Sequence, residues 1–220
     1  GRNIAKTEVA GPGFINITLT DEYLFELLDT KIKESQKGKE IIVEFSDPNP
    51  FKELHVGHLY DSVVGDSIAN LLATAGAAVH RVNFGGDVGL HVAKSMWSIV
   101  KELGGLHPEK LLRQLADGNL KDRASWLSAR YVEGSKAYEN DEEAQKRIIE
   151  LNQKIYKIHE DNDHESPFAQ IYWTCRQWSY DYFNDFYGRM GIEFEKYYPE
   201  SITAPIGLKA VKEQQKKGIF

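Results

Sequence analysis

Cysteine is nearly absent: the 220 residues contain one, Cys175. A lone thiol excludes an intrachain disulfide framework and any cysteine-built zinc module, and it fits a reducing, cytoplasmic setting. Long apolar runs are missing too. The longest clean stretches resemble Ile41-Ile42-Val43, far short of the ~18 consecutive apolar residues that span a bilayer, so no membrane partner is expected. Positive charge is not in excess, since 27 Lys and Arg stand against 33 Asp and Glu for a net charge of −6. That balance disfavours a protein that grips nucleic acid over its whole surface but leaves room for a local basic patch. Internal repeats and low-complexity tracts are absent as well. What remains is ordinary globular composition, with 41% hydrophobic and 27% charged residues and length for one large domain.

Patterning along the chain predicts an α/β protein. Gly11-Pro12-Gly13 reads as a turn before an alternating strand through Leu19, and Thr20 or Asp21 caps a short helix carrying Tyr23, Leu24, Leu27 and Leu28. After a polar link over 31–40, Ile41 to Phe45 reads as a buried parallel strand. Leu59, Val63, Val64, Ile68, Leu71, Leu72 and Ala75 recur at helical spacing, and Gly76 closes that helix. A second strand over 78–84 leads to Gly85-Gly86-Asp87, and a second helix presents Val92, Met96, Ile99, Val100 and Leu103. Residues 104–163 are charged and mostly helical. Ile171, Cys175, Trp178, Tyr182 and Phe186 mark a buried helix, Ile192 to Tyr197 a third strand, and Leu208 to Lys217 a last amphipathic helix. Strand–helix alternation of this kind builds a parallel sheet whose ligands sit at the carboxyl ends of the strands.

Chemistry concentrates between the first of these strands and its helix, in Glu44-Phe45-Ser46-Asp47-Pro48-Asn49-Pro50-Phe51-Lys52-Glu53-Leu54-His55-Val56-Gly57-His58. His55 and His58 stand three apart in the first helical turn, so both imidazoles project to one side. A helix start offers free N–H groups and a positive partial charge that suit phosphate. Gly57 leaves bare backbone on which a base can lie, and Lys52 adds a mobile cation. Together these describe a nucleoside triphosphate site without a glycine-rich loop, in which imidazoles donate to phosphate oxygens as the α-phosphate is attacked and pyrophosphate leaves. Two other readings stay open: a metal pair, for which the segment supplies no third ligand at a recognised spacing, and helix-capping or surface histidines. Gly85-Gly86-Asp87-Val88-Gly89 lacks the spacing of a dinucleotide fingerprint, so a nicotinamide enzyme is not expected.

His55-Val56-Gly57-His58 resembles the HIGH motif of class I aminoacyl-tRNA synthetases. The longer pattern, Pro48-Asn49, then Lys52, then the tetrapeptide and Leu59, is similar to the arginyl-tRNA synthetases. Ala10-Gly11-Pro12-Gly13-Phe14-Ile15-Asn16, Val63-Val64-Gly65-Asp66 with Asn83 and Gly86-Asp87, and Tyr198-Pro199-Glu200-Ser201 resemble further blocks of that family. The resemblance implies the first half of a Rossmann-like nucleotide-binding domain with helical insertions. It implies ATP held by His55, Gly57 and His58, with Lys52 near its phosphates and magnesium accompanying the nucleotide without an assigned protein ligand. It implies that Glu44 faces a substrate guanidinium, that Asn49 takes the α-amino end of arginine, and that Asp47 and Glu200 join the same pocket. Arginine and tRNA are the implied partners, and protein biosynthesis in the cytoplasm the setting.

The sequence departs from the family at Asp47, where Ser or another small residue is usual, at Tyr60, where Arg is usual, at Phe84-Gly85 for His-Val, at Val88 for Trp and at His91 for Gln. It carries no lysine-rich KMSKS-like loop and no anticodon-binding helical domain. The expected organisation is therefore a piece of a longer enzyme: 1–38 as the remnant of an N-terminal domain and linker, 39–103 as the first half of the catalytic domain, 104–201 as helical insertion, core helix and third strand, and 202–220 as the start of a connective insertion. A different HIGH-type adenylyltransferase and a non-catalytic synthetase-like binding module are the rival readings. An exposed apolar face, and hence self-association, is expected of half a sheet.

Overall fold

The computed structural model describes residues 3–28, 33–115 and 118–219; Lys31 of the polar link lies outside them. The chain opens with an antiparallel hairpin of β1 (Ile4–Val9) and β2 (Ile15–Leu19), followed by α1 (Asp21–Leu28). Gly11 and Gly13 turn the hairpin with φ of 65° and 89°, in the left-handed region that only glycine enters freely. Sequence patterning located β2 and α1 but not β1, whose Ile-Ala-Lys-Thr-Glu-Val is exposed along its whole length.

The second sheet is parallel and has the order β3-β4-β5, from β3 (Glu40–Glu44), β4 (Ala78–Gly85) and β5 (Lys196–Pro199). Helix α2 (Val56–Thr74) connects β3 to β4, and five helices separate β4 from β5. These are α3 (Leu90–Glu102), α4 (Pro108–Gln114), α5 (Leu120–Asn140), α6 (Glu142–Glu160) and α7 (Pro167–Met190), while α8 (Glu200–Lys216) follows β5. This is the α/β parallel sheet that the alternation predicts, with the helical segment between its second and third strands.

Three expectations need correction, and the structure adds which face of α2 packs. β3 is not buried on both faces: Ile41 and Val43 are half-buried, but Ile42 is 69% exposed. On α2 the leucine-rich stripe does not form the core, since its buried residues are Ser62, Gly65 and Ala69. Small residues win that face because the helix lies so close to the sheet that a Cβ on Gly65 would overlap the Cβ and Cγ of Phe45. Leu59, Val63, Ile68 and Leu71 are left facing outward. The third strand begins at Lys196 rather than Ile192, because Ile192 is buried with Phe45, Phe183 and Tyr187, with Phe194 packed against them. Finally, α8 starts at Glu200, not Leu208, and buries none of its residues, so one helix runs across the 201/202 boundary.

Two apolar clusters hold these elements. The larger unites α3 to α7 through Met96, Ile99, Leu127, Ile148, Ile155 and Phe168. The smaller joins β3 to the second half of α7. At 24 residues, α7 is about 36 Å long at 1.5 Å per residue, so it serves both.

Candidate active site

The loop between β3 and α2 has an unusual backbone. Ser46, Asp47 and Phe51 adopt positive φ of 77°, 46° and 67° without being glycine. Such conformations cost of order 1–3 kcal/mol each and persist only where surroundings enforce them. Here they are enforced. The Ser46 and Tyr187 hydroxyls lie 2.7 Å apart, and Ser62 Oγ donates to Ser46 Oγ at 2.9 Å. Phe51 is fully buried, stacks on Tyr172 with ring centroids 5.8 Å apart, and donates its N–H to Ser179 Oγ at 2.9 Å. Asp47 Oδ1 accepts from the backbone N–H of Phe84 at 2.8 Å, tying the loop to β4. Burial pushes that carboxyl above its usual range against this bond, and the neighbouring Glu44 and Asp61 push the same way.

His55 caps α2 and His58 occupies its third position, with their ring centroids 3.9 Å apart. The Nδ1 of His55 accepts from Gly57 N–H, and the Nδ1 of His58 accepts from His55 N–H, each at 3.1 Å. An imidazole nitrogen that accepts carries no proton, so each neutral ring bears its proton on Nε2, directed away from the turn. Burial and the adjacent His55 lower the pKa of His58, favouring the neutral form. The free N–H groups expected at this helix start are thus partly taken by the imidazoles, which present Nε2–H in their place. Gly57 has a further reason: a Cβ there would stand 2.8 Å from Cε1 and 2.9 Å from Nδ1 of His55. The ring of His55, rather than open space, lies over it.

At the carboxyl end of β4 a second group converges. A Cβ on Gly86 would collide with Asn49 Oδ1 and come within 3.3 Å of Glu200 Oε2 and 3.4 Å of His91 Cε1. Asn49, Glu200 and His91 therefore surround bare backbone. His91 Nε2 is 2.7 Å from the Gly86 carbonyl, and burial lowers its pKa. Burial and the neighbouring Asp87 raise that of Glu200. Lys52 lies within electrostatic reach of both His58 and His91. Glu44 is exposed at the end of β3, its backbone in register with Val82. Lys52, Asn49, Glu200 and the histidine pair thus share one end of the sheet, with Glu44 and Asp47 on its β3 side.

Asp87 supports this floor and was not singled out from sequence as a structural residue. Its fully buried carboxylate accepts from Arg176 Nε at 2.9 Å, Ser201 N–H at 2.9 Å and Ser201 Oγ at 2.7 Å. Tyr172 OH donates to its carbonyl at 2.8 Å and lies 2.7 Å from His159 Nε2, which is the donor in that pair. One signal for this anchor exists in the sequence: Arg176 is a lone arginine in the aromatic run of α7.

The family described as "tRNA synthetases class I (R), catalytic domain" matches residues 24–220. The chain belongs to this family. The arginine–tRNA ligase of Flavobacterium psychrophilum is 30% identical over 239 residues, covering 99% of this chain and 38% of its own length. That of Treponema pallidum is 33% identical over 186 residues, covering 84% of this chain and 29% of its own length. The solved arginyl-tRNA synthetase of Plasmodium falciparum shares the fold with a TM-score of 0.54 at 24% identity, covering 99% of this chain and 36% of that one. The chain spans less than two-fifths of these relatives' length. As a class I (R) synthetase chain it carries the Rossmann-like half-sheet, and no helix among the described residues is long and apolar enough to cross a membrane.

Proposed function

We propose that the protein carrying this chain activates arginine with ATP and transfers it to the terminal adenosine of its tRNA. The observation that carries this is the His55–His58 pair, two imidazoles at a helix start with ring centroids 3.9 Å apart, each accepting a turn N–H on Nδ1 and so leaving Nε2 as its donor. In the first step an arginine carboxylate oxygen attacks the α-phosphorus, the bond to the bridging oxygen breaks, and pyrophosphate leaves. His55 and His58 donate to phosphate oxygens as negative charge builds there, and Lys52 offsets charge on the leaving group. Asn49 takes the α-ammonium group beside Gly86, with Glu200 adding a carboxylate. Glu44 is assigned to the guanidinium, a planar group that prefers a carboxylate accepting two bonds. Asp47 sits beside it and holds the loop through Phe84. In the second step a hydroxyl of the terminal adenosine attacks the acyl carbon and AMP leaves.

Among the described residues, no group of three or more His, Cys, Asp or Glu is placed to hold a metal ion. Magnesium is assigned to the triphosphate, whose charge it neutralises, and no residue is given to it. The setting proposed is the cytoplasm.

The chain covers 38% of the Flavobacterium relative, which supports a division of labour: this piece holds ATP and part of the arginine pocket but does not charge tRNA alone. Arginine, ATP and tRNA supplied to the 220-residue chain should yield no charged tRNA, and clear charging would sink that part of the proposal. In the intact protein, pyrophosphate should exchange into ATP only with arginine and tRNA present. Exchange indifferent to arginine would point instead to another adenylyltransferase.

A further inference from the structure

We propose that Tyr131, on the helical insertion, is a positioning residue for Lys52, so that α5 sets where the phosphate-contacting ammonium stands; this rests on the assignment of Lys52 to the triphosphate. The Lys52 ammonium lies over the Tyr131 ring, 3.9 Å from its centroid. That is well inside the ~6 Å over which a cation is held by a ring face. The next residue is gripped by the same helix, since Ser125 Oγ donates to Glu53 Oε1 at 2.5 Å. Helix α5 therefore holds two consecutive residues of the segment that leads into the histidine turn.

The helix is itself fixed in place. Gly134, one turn beyond Tyr131, lies so close to α3 that a Cβ there would overlap the carbonyl of Lys94. Two turns beyond Tyr131, Tyr138 receives the Lys94 ammonium over its ring at 4.6 Å. One face of α5 thus sits directly on the helix that follows the β4 loop, and the Tyr131 ring is presented from a rigid support. Lys52 carries a long, flexible stem, and among the described residues the ring restricts it without an opposing carboxylate. A carboxylate would compete with phosphate for the ammonium, whereas a ring face yields to it. The arrangement keeps Lys52 near His58 and His91 while leaving it free to turn to an incoming anion.

Two variants test this, Tyr131→Leu without the ring and Tyr131→Phe with it. In the 220-residue chain, labelling of Lys52 by an amine-reactive ester, read by mass spectrometry, is expected to be about 3-fold faster or more in Tyr131→Leu, and unchanged in Tyr131→Phe. Equal labelling in all three proteins would overturn the proposal without reference to activity. In the intact protein, arginine- and tRNA-dependent pyrophosphate exchange is followed against ATP. Tyr131→Leu is expected to lower kcat/KM for ATP about 3- to 30-fold, with Tyr131→Phe restoring it to within about 2-fold. In a Lys52→Ala background the leucine change should cost nothing more, and an equal loss in both backgrounds would overturn the proposal. Lys52→Ala that turns over ATP like the wild type refutes the assignment of Lys52 to the triphosphate, and with it the positioning role, even where the labelling contrast holds.

Discussion

Replacing Asp87 with asparagine keeps the shape of the side chain and removes its charge. In the native structure one carboxylate oxygen takes the Ser201 N–H, and the other takes both Arg176 Nε–H and the Ser201 hydroxyl. An asparagine has a single oxygen. If it faces Ser201 N–H, its amide points at Arg176 and leaves a donor without an acceptor; if it is flipped, Ser201 N–H is orphaned. The serine hydroxyl can rotate to accept, so one unsatisfied donor is the minimum. That costs about 1–3 kcal/mol, and loss of charge assistance on the surviving bonds adds roughly 1 more, giving about 2–4 kcal/mol. With a urea m-value of about 2–3 kcal/mol/M, the midpoint should fall by roughly 1–1.5 M at unchanged m. The assay is urea unfolding of the 220-residue chain by circular dichroism, and Asp87→Ala should cost more than Asp87→Asn. A double-mutant cycle supplies the check. Arg176→Met in the Asp87→Asn background should cost less than in the wild type, because the guanidinium has already lost its partner. A midpoint shift below about 0.2 M for Asp87→Asn, or strict additivity with Arg176→Met, would refute the view that this carboxylate anchors the β4 end.

Other outcomes follow from particular contacts. Gly65→Ala should lower the urea midpoint by an amount equivalent to at least about 1–3 kcal/mol, because its methyl meets the Phe45 ring; an unchanged midpoint would show that α2 can lift off at no cost. His58 is kept neutral by burial, and a triphosphate favours its charged form, so ATP binding near and just below pH 6.5 should take up protons. Calorimetry in buffers of different ionisation enthalpy measures this, and no buffer dependence would contradict the assigned contact. His80 bridges Glu195 at 2.6 Å and Glu40 at 2.9 Å, and the Glu195 bond above all raises its pKa. A raised folded-state value means that the bridge stabilises fully below about pH 6.5 and fades as pH rises through the folded-state pKa. The stability gap between wild type and His80→Gln should therefore narrow at alkaline pH, and a gap that widens there would reverse the sign. The outward apolar stripe of α2, with Leu59, Val63, Ile68 and Leu71 exposed, should make the chain self-associate; light scattering that shows a monomer at every concentration would count against it.

The order of elements was legible because short apolar runs and long helical stripes differ in period. The histidine turn was legible because its chemistry is local, all within four residues. Reading failed where the deciding contact was distant. Nothing in the spacing of Leu59, Val63 and Ile68 says that Ser62, Gly65 and Ala69 meet the sheet; only the approach of Phe45 decides it. Ile192 and Phe194 read as strand by their alternation, yet α7 recruits them into its aromatic cluster and pairing starts at Lys196. Asp87 and Arg176 are 89 positions apart, and no local pattern joins them. Tyr131 looked like one more residue of a charged helix until the fold brought Lys52 over its ring.

Helix α7 touches both the loop and the β4 end of the site: Tyr187 and Ser179 hold the loop, and Arg176 and Tyr172 hold the end of β4 with the start of α8. Segments that share one strut open together. Amide hydrogen exchange over 46–51, 83–87 and 200–201 should therefore follow a single opening free energy set by α7, although these stretches are far apart in sequence. A nucleotide bound at the histidine turn would then slow exchange along a helix it never contacts.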